Sequence, residues 1–267
     1  MLRDITLGQY YAGNSPLHRM DPRTKILGTI LYIVELFLAK GVPGFGFCAA
    51  VLAVVVIVSK IPMSYILRGM KPILMILTFT FVLNIFMVDG TVIWQFGVLR
   101  ITVEGVKRAV MMGVRLILLI VASSLLTLTT KPIELTDGLE KLMYPLSKIG
   151  LPSHEIAMMM SIALRFIPLL LEETDKIMKA QQARGADFES GNILRRAKSM
   201  IPLLIPLFVS SLNIAQELAM AMEARCYRGG KGRTRMNEIR FGKLDLVAGI
   251  LIVLTLAVII VERIYLK

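Results

Sequence analysis

Cysteine and histidine are almost missing from this chain, and their scarcity excludes a good deal. Among 267 residues there are two cysteines, Cys48 and Cys226, and two histidines, His18 and His154. Cys48 falls inside an apolar run and Cys226 in a basic segment, so neither a disulfide framework nor thiolate metal-ligand spacing is available. Two isolated histidines are poor material for a membrane-embedded active site, which needs a cluster of His, Asp or Glu. Acidic residues are also few, 19 against 31 Lys and Arg, leaving a net charge of +12. The basic residues punctuate apolar segments and do not form one basic face with interleaved aromatics, which argues against a nucleic-acid partner. The phosphate-binding spacing G-x-x-x-x-G-K-[ST] is absent. Gly229-Gly230-Lys231-Gly232-Arg233-Thr234 has the composition without the spacing. It reads as a flexible basic loop near lipid headgroups, and the chain is expected to bind no ATP, metal or other cofactor itself.

Apolar residues are plentiful: 55% of the chain, with a mean hydropathy of +0.69. Soluble domains run about 45–50% apolar and do not sustain charge-free stretches of this length. The expected class is an all-α membrane protein with about five transmembrane helices and a cytoplasmic region of long helices, lodged in the cell membrane. Residues 1–25 carry four basic and two acidic side chains and belong inside; they do not resemble a cleavable signal peptide. Asp21-Pro22 reads as a helix start, Asp as cap and Pro in the first helical position. Spans are expected near 26–39, 45–59, 72–88, 109–130 and 246–261. Residues 60–71 hold Lys60, Arg68 and Lys71 with no acid and belong inside, while 91–104 form a short outer loop. The divisions are thus 1–130 with four spans, 131–243 in the cytoplasm, and 244–267 with the last span.

Segment 131–243 changes character, with 17 basic and 12 acidic residues mixed with apolar stripes. Three helices are expected there: an amphipathic one over 133–148, stopped at Gly150-Leu151-Pro152; one opened by Ser153 and Glu155 and running to about Ala183, kinked at Pro168; and one from about Ile193 to Arg225, kinked near Pro202 and Pro206. The two long helices are apolar first and charged later, which suggests starts near the membrane and tips in the cytoplasm. A second topology competes. Residues 200–216 are uncharged and 156–171 contain only Arg165, so both could span, placing 172–199 outside. That stretch has six basic and five acidic residues, which favours keeping it inside.

The two long helices end alike, in Ala183-Arg184-Gly185 and Ala224-Arg225-Cys226, the second arginine 41 residues after the first. An arginine offers a fixed charge and a planar fork of donors to a partner's carboxylates and carbonyls, and a preceding alanine keeps the tip slim enough for a groove. The plainer reading is that cations near helix C-termini complement the dipole. Methionine, with 17 copies including Met158-Met159-Met160, Met220 and Met222, suits surfaces that repack against partners, or simply lipid and core. Glu35 and Arg115 are ionisable groups inside expected spans, and one hypothesis pairs them across helices. A self-contained secondary transporter is the main rival function. It would need polar groups converging mid-membrane and matching broken helices, and only Glu35, Asn84 and Arg115 qualify.

Three motifs carry a family resemblance. Ser15-Pro16-Leu17-His18-Arg19-Met20-Asp21-Pro22-Arg23-Thr24-Lys25 resembles the N-terminal signature of the transmembrane T component of energy-coupling factor (ECF) transporters. Arg165-Phe166-Ile167-Pro168-Leu169, Glu172 and Ala180-Gln181-Gln182-Ala183-Arg184-Gly185 resemble that family's first coupling motif, and Ala219-Met220-Ala221-Met222-Glu223-Ala224-Arg225 its second. The resemblance covers essentially the whole chain. It implies a non-catalytic subunit of an ABC importer that joins two cytoplasmic ABC ATPases to one substrate-binding membrane S component, for uptake of a vitamin or other micronutrient. It also implies that Ala183, Arg184, Gly185, Ala224 and Arg225 dock the ATPases. Cys226 stands where the family has glycine, so the end of that helix is expected to shift towards Gly229.

Overall fold

The computed structural model describes residues 10–96, 99–150, 152–188, 192, 198–229 and 241–265. It is an all-helical membrane protein apart from one hairpin, and it divides into two units. One takes the described residues of 8–138 and 238–267, the other those of 139–237.

The first unit begins with a short α1 (Pro16–Arg19) and α2 (Pro22–Leu38). Asp21 caps α2 as its position before Pro22 predicts, accepting from the Arg23 N–H at 2.8 Å. α3 (Val42–Ser59) follows a tight turn at Gly41, whose φ of +95° suits glycine. α4 (Met63–Met87) bends by 62° between Met70 and Ile73, where the chain has a proline and so lacks an amide hydrogen. Residues 91–104, expected as a plain loop, instead form an antiparallel hairpin of β1 (Val92–Phe96) and β2 (Leu99–Thr102) with a bulge between Val92 and Trp94. Its run of β-branched and aromatic residues favours a pleated backbone. Thr102 then starts α5 (Val103–Thr129), its hydroxyl accepting from the Gly105 N–H and donating to the Val88 carbonyl.

The core of this unit gathers Tyr32, Leu36, Phe45, Cys48, Leu52, Leu118, Leu125 and Ile259 from α2, α3, α5 and α9 (Lys243–Tyr265). α2 and α9 run parallel: the Asp21 N–H donates to Asp245 Oδ1 at 2.8 Å, Gly28 faces Ile252, and Thr255 Oγ1 donates to Glu35 Oε1 at 2.8 Å. A Cβ on Gly28 would meet the Ile252 Cδ1 at 2.9 Å, so a larger residue here requires that side-chain tip to shift. The N-terminal signature is the knot of the unit. His18 bridges Ser15 Oγ (2.7 Å) and the Tyr11 carbonyl (3.0 Å), and buried Lys25 donates to the carbonyls of Thr129 and His18. Its polar residues therefore satisfy backbone groups where α1, α2 and α5 meet.

α6 (Pro132–Met143) stops short of the expected 148, because Tyr144–Ile149, which contains Pro145, tightens into a 3₁₀ segment that ends at Gly150 (φ +96°). In the second unit α7 spans Ser153–Ala183 with Pro168 inside, and α8 spans Ile201–Ala224. Pro202 does not kink α8: it sits in the first turn, where its missing N–H costs nothing. Residues 193–197, where this helix was expected to begin, lie outside the described residues.

Among the described residues five helices are long and apolar enough to cross a membrane, namely α3, α5, α7, α8 and α9, and the bent α4 makes a sixth when its two arms are counted as one span. The number five matches the sequence-based count but the membership differs. α2, with 17 residues and so about 26 Å, is shorter than the ~30 Å hydrocarbon core. α7 and α8, expected in the cytoplasm, pass by length and composition, and their apolar windows are only 6% and 0% buried.

Candidate docking tips

The Ala-Arg tips are built by one backbone device used twice. α7 ends at Ala183, Arg184 caps it, and Gly185 takes a left-handed φ of +87°. The Gly185 N–H donates to the Gln182 carbonyl at 2.9 Å and the Ala186 N–H to the Gln181 carbonyl at 3.0 Å. α8 ends at Ala224, Arg225 caps it, and Cys226 takes φ +55°. The Cys226 N–H donates to the Glu223 carbonyl at 2.9 Å and the Tyr227 N–H to the Met222 carbonyl at 3.0 Å. Both are Schellman endings, in which the left-handed residue and its successor satisfy the last helical carbonyls. The expected shift of the second ending towards Gly229 is therefore overturned: Cys226 adopts the glycine conformation in place, and α8 stops at the same register as α7. Gly229 has a positive φ of its own, +85°, three residues further on.

Ala183, Arg184, Gly185, Ala224, Arg225 and Cys226 are all exposed. Neither arginine has a salt bridge or side-chain hydrogen bond among the described residues, and both are exposed. Residues 230–240, which hold most of the glycine-rich basic stretch, lie outside the described residues.

The relation between the two tips was not legible in the sequence. Gln181 Nε2 near the end of α7 donates to the Pro202 carbonyl at the start of α8 (3.4 Å), while Tyr227 Oη just past the end of α8 lies 3.5 Å from His154 Nε2 at the start of α7. His154 Nδ1 is in turn 3.1 Å from Glu140 Oε1. The helices are thus antiparallel, and the tips sit at opposite ends of the pair, separated by about the length of α8, roughly 36 Å. Two starts at the membrane with two tips reaching straight away from it would require parallel helices, so that picture does not hold. The outer face of α8 presents Ile201, Leu204, Ile205, Phe208, Val209 and Leu212, each about half exposed, at i, i+3, i+4, i+7, i+8 and i+11. Met159, Met160 and Met220 are exposed as well.

Glu35 and Arg115 are not brought together. Glu35 is buried and accepts from Thr255, whereas the Arg115 guanidinium lies 5.4 Å and 5.2 Å from the ring centroids of Phe37 and Phe45. Phe37 is two residues beyond Glu35, so the two side chains leave α2 on nearly opposite faces, and the arginine on one face cannot meet the carboxylate on the other.

Comparison with known proteins places this architecture. A family model described as Cobalt transport protein matches residues 13–236, more than half of the chain and both tips. A protein of Ruminiclostridium cellulolyticum named energy-coupling factor transporter transmembrane protein EcfT is 56% identical over 266 residues, 99% of this chain and 100% of that one. Proteins of the same name from Clostridium kluyveri (52% identity, 99% of each chain) and Bacillus subtilis (48% identity, 90% of this chain and 91% of that one) are similar over most or all of their length. With identity of this extent spanning the signature knot, the two long helices and both tips, the chain belongs to the family of transmembrane proteins of energy-coupling factor transporters.

Proposed function

We propose that this chain is the non-catalytic coupling subunit of an ECF-type ABC importer, joining two cytoplasmic ATPases to a substrate-binding membrane S component that takes up a vitamin or other micronutrient. The observation that carries the reading is the pair of identically built, exposed arginine tips at opposite ends of one helix pair. Two tips roughly 36 Å apart suit two separate ATPases, each gripping one tip in a groove, and do not suit one partner gripping both. ATP binding draws the ATPases together and moves both ends of the α7–α8 pair. A packed helix pair passes that displacement along its length as a stiff body. The exposed apolar stripe of α8 and its neighbouring methionines then act on the S component, since an unpartnered apolar surface of this kind marks an interaction site. ATP stays with the ATPases, and this chain holds no cofactor of its own.

The test is Arg184→Ala combined with Arg225→Ala, each substitution removing a charged fork from an exposed position without touching the helix-ending hydrogen bonds. The double variant is expected to insert normally and to lose ATPase co-purification in mild detergent, or to hydrolyse ATP without uptake. Unchanged assembly together with unchanged uptake would refute the docking assignment.

A further inference from the structure

The first unit contains a cavity of about 460 Å³ between α2, α3, α5 and α9, closed at one end by α1, and its lining is almost wholly apolar. Its long axis follows α2 from Thr24 to Glu35, eleven residues or about 16 Å. That is half of a ~30 Å hydrocarbon core, the depth of one leaflet. The walls contributed by α3 and α9 are open to the surroundings, with Val54, Val247 and Leu251 each more than half exposed. At the deep end Glu35 accepts from Thr255, and at the shallow end Lys25 donates to backbone carbonyls, so both charged groups of the lining have partners within the chain.

The shallow end has a basic rim. Met20, Val58 and Leu244 line it, and beside them in the chain stand Arg19, Lys60 and Lys243, all exposed and without a salt bridge among the described residues. The carboxylates nearby are occupied. Asp21 is paired with Arg23 at 3.2 Å and accepts from its N–H, and Asp245 accepts from the N–H groups of Asp21 and Gly242. A slot of one-leaflet depth, with three exposed cations close in the chain to the residues that line its shallow end, matches one amphiphile in length, polarity and charge. We propose that it is a binding site for an anionic phospholipid, an acyl chain lying along α2 between α3 and α9 and the phosphate held by Arg19, Lys60 and Lys243. A helix, about 10 Å across, is too thick for a slot of this volume, so a partner's transmembrane segment is not the occupant. The site would make this unit sensitive to the anionic lipid content of the leaflet into which α1 and the start of α2 emerge.

The test uses the full chain, purified with whatever subunits accompany it and placed in phosphatidylcholine nanodiscs doped with phosphatidylglycerol carrying a photoreactive group at the acyl terminus. Label is expected to concentrate on peptides containing Val51–Val55 and Leu251–Thr255, and to be competed by unlabelled phosphatidylglycerol but not by phosphatidylcholine. Each rim cation is worth about fivefold at a membrane surface, so Arg19→Gln, Lys60→Gln and Lys243→Gln together should raise the phosphatidylglycerol needed for half-maximal labelling roughly a hundredfold. Val54→Trp with Leu251→Trp, both at exposed positions, should abolish the label at these peptides with the rim intact. Label spread evenly over all lipid-facing helices, equal competition by phosphatidylcholine, or indifference to both variants would overturn the site. Displacement of label only by a co-purifying subunit would overturn it too, and would make the slot a protein interface.

Discussion

A single residue, Cys226, carries a local conflict at the end of α8. A left-handed backbone costs a residue with a Cβ about 1–2 kcal/mol, which glycine avoids. Cys226 bears that cost at φ +55°, while its counterpart Gly185 holds φ +87° without it. The cysteine side chain is exposed, so no buried packing compensates. Replacing Cys226 with glycine relieves the strain but raises the backbone entropy of the unfolded chain, and the net gain should be about 0.5–1 kcal/mol. Gly185→Ala should lose about as much by the reverse route. Thermal unfolding in detergent should therefore rise slightly for Cys226→Gly and fall for Gly185→Ala. A fall for both would mean that the thiol makes a contact outweighing its strain. Since the two endings share one register, neither substitution should move the position of its arginine.

At the scale of elements, the sequence revealed helix identity better than helix company. The starts at Asp21-Pro22 and Ser153 and the end at Ala183 were legible because caps, prolines and glycines act through local backbone chemistry. The β1–β2 hairpin was missed because its strands, of five and four residues, are short enough to read as the loop between two spans, and the stop at Met143 because Pro145 acts one turn upstream of where the apolar stripe fades. Pairing across helices is set by facing, which spacing alone does not give. Glu35 and Arg115 illustrate this, since their helices pack in one unit yet Glu35 turns to Thr255 on α9 and Arg115 to two phenylalanine rings. Glu35→Gln and Arg115→Gln should consequently add. Glu35→Gln keeps an oxygen that accepts from Thr255 and removes only the carboxyl's charge, whereas Arg115→Gln removes ring contacts worth about 0.5–2 kcal/mol. The double variant should equal their sum within about 0.5 kcal/mol in thermal or denaturant unfolding. A shortfall of about 1 kcal/mol or more would restore the ion pair.

For the molecule as a whole, the antiparallel run of α7 and α8 turns topology into a question about function. If both helices cross the bilayer, their opposite ends emerge on opposite sides, and only one arginine tip faces the cytoplasm. If both tips serve cytoplasmic ATPases, an antiparallel pair must lie along the membrane surface. Its apolar stripe of Ile201, Leu204, Ile205, Phe208, Val209 and Leu212 then faces lipid or a membrane partner, in the manner of an interfacial amphipathic helix. Length and apolarity admit either arrangement, and the docking role admits only the second. The chain supplies its own probe, because Cys226 is exposed at one tip and the other cysteine, Cys48, is buried. Gln182→Cys adds an exposed thiol at the other tip. In intact cells a membrane-impermeant thiol reagent should label neither Cys226 nor the introduced thiol, and in inside-out vesicles stripped of peripheral proteins it should label both. Labelling of one tip from each side would make α7 and α8 a transmembrane hairpin and would leave a single tip for a cytoplasmic motor, which two-ATPase coupling cannot accommodate.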